Sequence, residues 1–104
     1  MIRETLGSYI RKLRETEDMP LRKLAAHLDI DQSTLSKIET NQRRPSKEMI
    51  PILAKVFKLD AKELHIRYLS EKILYEIGDE QDGLDALKLA EKTITYKSGK
   101  NNKR

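Results

Sequence analysis

The chain has 104 residues, of which 38% are apolar, so it can build one small core with an appendage but hardly two domains. It has no cysteine, which excludes disulfide bonds and thiolate metal sites, and no apolar run of about 18 residues that would span a membrane. The net charge of +4 is uneven: residues 1–70 carry 14 basic and 10 acidic side chains, residues 71–91 carry 2 and 7, and residues 92–104 carry 5 and none. The acidic middle segment is therefore not expected to face a phosphate backbone.

Helix-forming residues dominate the composition. Glycine and proline number only 4 and 3, and leucine, lysine, glutamate, alanine and isoleucine prevail, whereas β-branched and aromatic runs are absent. We therefore predict an all-α fold without a sheet.

Three segments with helical apolar periodicity open the chain. They predict helices over residues 3–16, 20–28 and 32–40. Pro20 suits the start of the second helix, where its missing N–H has no partner. Asp31 is expected to cap the third helix, and Asn41 to close it in the left-handed conformation.

The second and third of these segments form the arrangement expected of a bihelical DNA reader. Residues 29–31 break the helical period between them, which predicts a tight turn. Leu35 and Ile38 lie on the inner side of the third helix. Its outer side carries small polar groups and one lysine, namely Gln32, Ser33, Ser36 and Lys37.

A basic loop over residues 42–45 leads to three further predicted helices. Ser46 is expected to cap a fourth helix that runs to Phe57, and Asp60 to cap a fifth that continues to Ile77. An acidic turn over residues 78–83 precedes a sixth amphipathic helix. We expect a polar, basic and disordered tail over residues 98–104.

The last two helices carry an apolar stripe that a five-helix core does not require. Its members are Ile73, Leu74, Ile77, Leu84, Leu87 and Ile94. An amphipathic helix must bury such a stripe, which leaves three interpretations: packing back on its own domain, dimerisation with a second copy, or binding of another protein. We favour dimerisation, because one recognition helix reads only about four base pairs and two related by a twofold axis read a palindrome.

Several spaced motifs occur in the order that one family of DNA-binding proteins shows. They are Ile10-Arg11-Lys12-Leu13-Arg14, Leu24-Ala25, Ile30, Ser33-Thr34-Leu35-Ser36-Lys37-Ile38-Glu39, Arg44-Pro45-Ser46, Leu53-Ala54 and Leu64. With these motifs, residues 5–70 resemble the Xre/Cro/phage-repressor family of helix-turn-helix DNA-binding proteins. The resemblance implies a five-helix repressor-like domain whose third helix lies in the major groove.

The resemblance also implies roles for individual residues. The base-contacting positions fall on Gln32, Ser33, Ser36 and Lys37. The backbone-contacting positions fall on Arg22, Lys23, Thr34, Arg43, Arg44, Ser46 and Lys47. A structural ion pair is implied between Arg14 and Glu39, which would orient the recognition helix.

The chain departs from the family pattern at the start of the second helix. The family commonly has a glutamine there that binds a phosphate, whereas this chain has Leu21. The contact is therefore expected from Arg22, Lys23 or the backbone. Asp29 and Asn41 replace glycines of the pattern, and both residue types tolerate a positive φ.

Nothing in the sequence indicates catalysis or a cofactor. His27 and His65 have no cysteine or carboxylate partner at a metal-ligand spacing, so we expect no metal site. A glycine-rich phosphate loop and a nucleophile–base pairing are both lacking. We therefore do not expect an enzyme.

These observations predict three regions and a regulatory function. Residues 1–70 form a helix-turn-helix DNA-binding domain, residues 71–97 a C-terminal helical extension for dimerisation, and residues 98–104 the basic tail. We expect a transcriptional regulator, by default a repressor, that binds an inverted-repeat operator in double-stranded DNA as a homodimer in the bacterial cytoplasm, associated with the nucleoid and not with a membrane. The alternative is an antitoxin or adaptor whose C-terminal helices bind a partner protein, with DNA binding secondary.

Overall fold

Six helices make up the protein in a computed structural model that describes residues 4–102, with side chains for residues 4–99. Their bounds are α1 Leu6–Thr16, α2 Leu21–Leu28, α3 Gln32–Glu39, α4 Met49–Val56, α5 Ala61–Ile77 and α6 Gly83–Asn102. None of residues 4–102 lies in a β-strand. The predicted all-α fold, with five helices followed by a helical extension, is confirmed.

One apolar core joins α1 to α4 and the start of α5. The helices α1 to α4 each contribute residues at helical spacing from one side, and α5 contributes Leu64. The buried set is Leu6, Ile10, Leu24, Ala25, Leu28, Leu35, Ile38, Ile50, Leu53, Ala54, Phe57 and Leu64. Seven of these side chains are less than 2% exposed, so the core fixes the direction of α3.

The first helix begins at Leu6 because Thr5 caps it. Thr5 Oγ1 accepts the backbone N–H of Ser8 at 3.1 Å, which satisfies one of the unpaired donors of the first turn. The predicted start at Arg3 lies outside the described residues. A second cap comes from Glu71 in α5, whose carboxylate accepts the backbone N–H of Leu6 at 2.9 Å.

A glycine allows α1 and α3 to come very close together. A Cβ atom on Gly7 would lie 2.0 Å from the carbonyl oxygen of Ile38 and 2.9 Å from Asn41 Oδ1. Real Cβ atoms do not approach a backbone oxygen so closely, so only glycine fits this crossing without a backbone shift.

The fourth helix starts two residues later than the predicted cap at Ser46 requires, and the residue that precedes it is Glu48. Residues 47–48 form a turn in which the carbonyl of Ser46 accepts the N–H of Met49 at 3.1 Å, and α4 begins at Met49. Pro51 is therefore the third helical residue. Its missing N–H is one of the four that have no intrahelical partner, so the proline costs α4 no hydrogen bond.

The described chain divides into two compact units between Glu71 and Lys72. The first unit contains the core. In the second, the acidic turn ends at Gly83, where α6 begins, and every residue from 84 to 99 is exposed. Among residues 4–102, no helix combines the length and apolar character needed to cross a membrane.

The end of α6 differs from the expected disordered tail. The helix continues through residues 98–102, and residues 103 and 104 lie outside the described part of the chain. Lysine is a good helix former, and positive charge near a helix C-terminus is favoured by the helix dipole. The segment contains Gly99, which is a poor helix former, but no proline, and α6 continues through it to Asn102.

Candidate nucleic-acid interface

The turn between α2 and α3 sets the direction in which α3 leaves the core. Asp29 has φ 57° and closes α2 in the left-handed conformation, as its sequence position predicts. Its N–H donates to Ala26 O at 3.1 Å, and the N–H of Ile30 donates to Ala25 O at 3.0 Å. The half-buried Ile30 side chain packs against the core, so the turn is held from both sides.

Asp31 caps α3, as predicted. Its Oδ1 accepts the backbone N–H of Thr34 at 2.8 Å and the hydroxyl of Ser33 at 3.2 Å. Hydrogen bonds from the Thr34 side chain and backbone, followed by that from Ser33, lower the pKa of the Asp31 carboxyl. The carboxylate therefore stays ionised to a lower pH than an ordinary aspartate does.

The structure brings the four predicted base-contacting residues together on one side of α3. Their side chains, Gln32, Ser33, Ser36 and Lys37, are all exposed. The opposite side of the helix is buried through Leu35, Ile38 and Glu39. A short helix is thereby anchored by its inner side and presents donors and acceptors on its outer side.

The basic loop after α3 is folded back on the end of that helix. Asn41 has φ 66°, as predicted, and the N–H groups of Gln42 and Arg43 donate to the Lys37 carbonyl at 2.8 and 3.2 Å. The buried Pro45 anchors the far end of the loop. Exposed cationic and hydroxyl side chains lie along this loop and the turn after it, namely Arg43, Arg44, Ser46 and Lys47.

The remaining predicted backbone-contacting residues lie at helix starts. Arg22 and Lys23 are exposed in the first turn of α2, and Thr34 is half-buried in the first turn of α3. Leu21, which stands where the family commonly has a glutamine, packs partly buried against the core. Arg22 and Lys23 are thus the exposed cations next to that position.

An ion pair connects α1 to α3. Arg14 Nε and a terminal nitrogen donate to the two carboxylate oxygens of Glu39 at 2.8 and 2.9 Å, while the other terminal nitrogen donates to Met19 O at 2.9 Å. The two side chains are 13% and 4% exposed. The hydrogen bond with Glu39 raises the pKa of Arg14. The pair implied by the resemblance is thus present as a bidentate contact between the half-buried Arg14 and the buried Glu39.

A second set of contacts joins α5 to α1, and no local sequence pattern predicts it. The Arg67 guanidinium lies 4.0 Å from the centre of the Tyr9 ring. Glu4 contacts Lys12 at 2.7 Å and Arg67 at 3.8 Å, and the hydrogen bond from Lys12 is the largest cause that lowers the pKa of Glu4. Together with Glu71, these contacts fasten α5 to the start of α1.

The predicted dimerisation residues are not buried within the chain. Five of them are exposed by 39% to 65% and Ile77 is half-buried; the five are Ile73, Leu74, Leu84, Leu87 and Ile94. Their role stays a prediction. Across the part of the chain that the structure describes, no three His, Cys, Asp or Glu residues are grouped so that they could hold a metal ion.

Comparisons with known proteins identify a family and two relatives of this chain. A family model described as helix-turn-helix matches residues 10–64. The chain is 34% identical over 61 residues to an uncharacterized HTH-type transcriptional regulator of Mycobacterium tuberculosis strain CDC 1551 / Oshkosh, and equally to one of strain ATCC 25618 / H37Rv. Each match covers 59% of this chain and 44% of the relative, so the chain spans less than half the length of these curated relatives. No solved structure matches it significantly.

Proposed function

This chain belongs to the helix-turn-helix family, and on that premise we propose that it is a sequence-specific DNA-binding transcriptional regulator that inserts α3 into the major groove. The exposed polar side of α3, held over the core, is the observation that carries the proposal. The residues of this side that contact base edges are Gln32, Ser33, Ser36 and Lys37. The activity is binding, with no catalytic step and no cofactor.

Backbone contacts surround this reader. Helix starts and the basic loop supply them through Arg22, Lys23, Thr34, Arg43, Arg44, Ser46 and Lys47. Such contacts fix register and give affinity without selecting bases. The cationic side chains among them also displace counterions from the DNA, so the affinity depends on the salt concentration.

The regulator binds an inverted-repeat operator as a homodimer and represses by covering a promoter. Exposed apolar side chains of the C-terminal unit support this assembly, because Leu84, Leu87 and Ile94 recur at spacings of three and seven residues along one side of α6. A second copy would bury them. Because the proposed partner is DNA, we expect the protein on the nucleoid in the bacterial cytoplasm.

Selection from a random pool of double-stranded oligonucleotides tests the function. We expect enrichment of an inverted repeat whose half-sites are about one helical turn apart, with affinity that falls steeply as salt rises. A pool without an enriched half-site, or an affinity that salt leaves unchanged, would contradict the proposal.

A second candidate function is an antitoxin or adaptor that binds another protein through its C-terminal helices. Leu89 favours it, because this side chain is 66% exposed and lies on a different side of α6 from Leu84 and Leu87. A twofold contact through one side of α6 leaves Leu89 uncovered. A monomer in sedimentation experiments would favour this candidate, and a stable dimer the regulator.

A further inference from the structure

The first turn of α3 determines where the hydroxyl proton of Ser33 points. Ser33 Oγ lies 3.2 Å from Asp31 Oδ1, and the same oxygen accepts the N–H of Thr34 at 2.8 Å. An ionised carboxylate accepts hydrogen bonds and has no hydrogen to donate, so Ser33 must be the donor. The single hydroxyl proton of Ser33 is therefore used within the protein.

What remains on this surface is a pair of acceptors. Asp31 and Ser33 are both exposed, and the lone pairs of Ser33 Oγ are left for an outside partner. The Asp31 carboxyl is charged at neutral pH, as an ordinary aspartate is, and the hydrogen bonds that it accepts lower its pKa further. A negative charge and a hydroxyl oxygen thus lie side by side at the start of the reading helix.

We infer that the Asp31–Ser33 pair makes this turn a reader of exocyclic amino groups, the N4 amino group of cytosine or the N6 amino group of adenine. In the major groove guanine presents N7 and O6 and thymine presents O4, all of which are acceptors. Ser33 has no proton left for them, and the carboxylate of Asp31 repels them. This inference rests on the proposed function and adds the chemical group that Ser33 selects.

Base analogues in the selected operator test the inference directly. Purine in place of adenine and 2-pyrimidinone in place of cytosine each remove one amino group, whereas 7-deazapurines remove the N7 acceptor and 2-aminopurine in place of guanine removes O6. At one position of each half-site, loss of the amino group should weaken binding by about two- to tenfold, as expected for one hydrogen bond. With Ser33→Ala the same loss should have no effect.

The variant Asp31→Ser tests the acceptor pair while it keeps a capping residue at the start of α3. Serine also caps helices, so α3 should remain folded, as circular dichroism would show. The shorter hydroxyl has no charge and both donates and accepts, so it does not fix the direction of the Ser33 proton. The ratio of affinities for the operators with and without the amino group should fall towards one.

The outcomes distinguish the inference from the function on which it rests. If the wild-type protein enriches no half-site, both fail. If a half-site is enriched but no amino-group deletion depends on Ser33, or a deletion of N7 or O6 depends on it, the inference is overturned and DNA reading by α3 stands.

Discussion

Lys37 and Arg44 differ in what they would contribute to DNA binding. Lys37 is exposed on the reading side of α3, and Arg44 lies in the loop beside it. Lys37→Ala should cost about 1–3 kcal/mol and relax base preference at one position, whereas Arg44→Ala should weaken binding to all sequences alike and reduce the salt dependence. Competition binding on single-base operator variants measures both. Equal losses at every position for Lys37→Ala would make it a phosphate contact.

In the ion pair between Arg14 and Glu39, Glu39 is buried and Arg14 is half-buried, so removal of Arg14 alone differs from removal of both. Arg14→Ala leaves the Glu39 carboxylate buried and uncompensated, and should reduce the free energy of unfolding by about 3–5 kcal/mol. The double variant Arg14→Met, Glu39→Leu should recover most of this loss. Urea denaturation of the three proteins measures it, and a double variant as unstable as Arg14→Ala would contradict the argument.

The cap of α3 makes a small part of the stability depend on pH. The folded-state pKa of Asp31 lies below its ordinary value of 3.8, so the cap stabilises above that value and is lost as the pH falls through the folded pKa. Asparagine also caps but does not titrate. The stability advantage of the wild type over Asp31→Asn should therefore shrink on acidification from about pH 7 to pH 3 in thermal melts. A difference that is constant with pH would exclude this role.

Among the elements, local signals predicted α2 and α3 to within a residue at either end. Asp31, Asp29 and Asn41 act through neighbours within a few positions, so their capping roles are visible in the sequence. The late start of α4 and the continuation of α6 were not predicted, because no local residue decides either end.

Contacts between residues that are far apart in the sequence could not be predicted from local patterns. Glu71 accepts from the N–H of Leu6, 65 positions earlier, and Gly7 is required by the approach of Ile38. Neither produces a periodic or a capping pattern at its own position. The ion pair of Arg14 with Glu39 is also long-range, and the family resemblance indicated it where spacing alone could not.

The packing of α1 on α3 predicts opposite results for two glycines. Gly7→Ala should reduce the free energy of unfolding by about 1–3 kcal/mol, because its Cβ would meet the Ile38 carbonyl and force the helices apart. Gly99→Ala in α6 meets no atom within 4 Å and should leave the stability unchanged or slightly raised. Denaturant titrations compare them. A harmless Gly7→Ala would show that the crossing is looser than the structure has it.

At the scale of the whole molecule, the proposed palindrome requires two readers held together. The first unit has its own core. The second unit exposes apolar side chains along α6, and Leu87 and Ile94 are two of them. Truncation after Leu69 would remove the second unit, but it would also remove Glu71, which caps α1. Substitutions in the intact chain therefore test dimerisation more cleanly.

The double variant Leu87→Ser, Ile94→Ser should make the protein monomeric, because it removes two exposed apolar side chains from one side of α6. Lys88→Ser, Lys92→Ser is the matched control on another side of the helix and should remain dimeric. Sedimentation velocity gives the assembly state. Affinities for whole and half operators show how the assembly state affects DNA binding. The monomer should bind both operators with similar affinity per half-site, since the advantage of linked readers is lost. A dimer that survives the apolar substitutions would place the interface outside this side of α6.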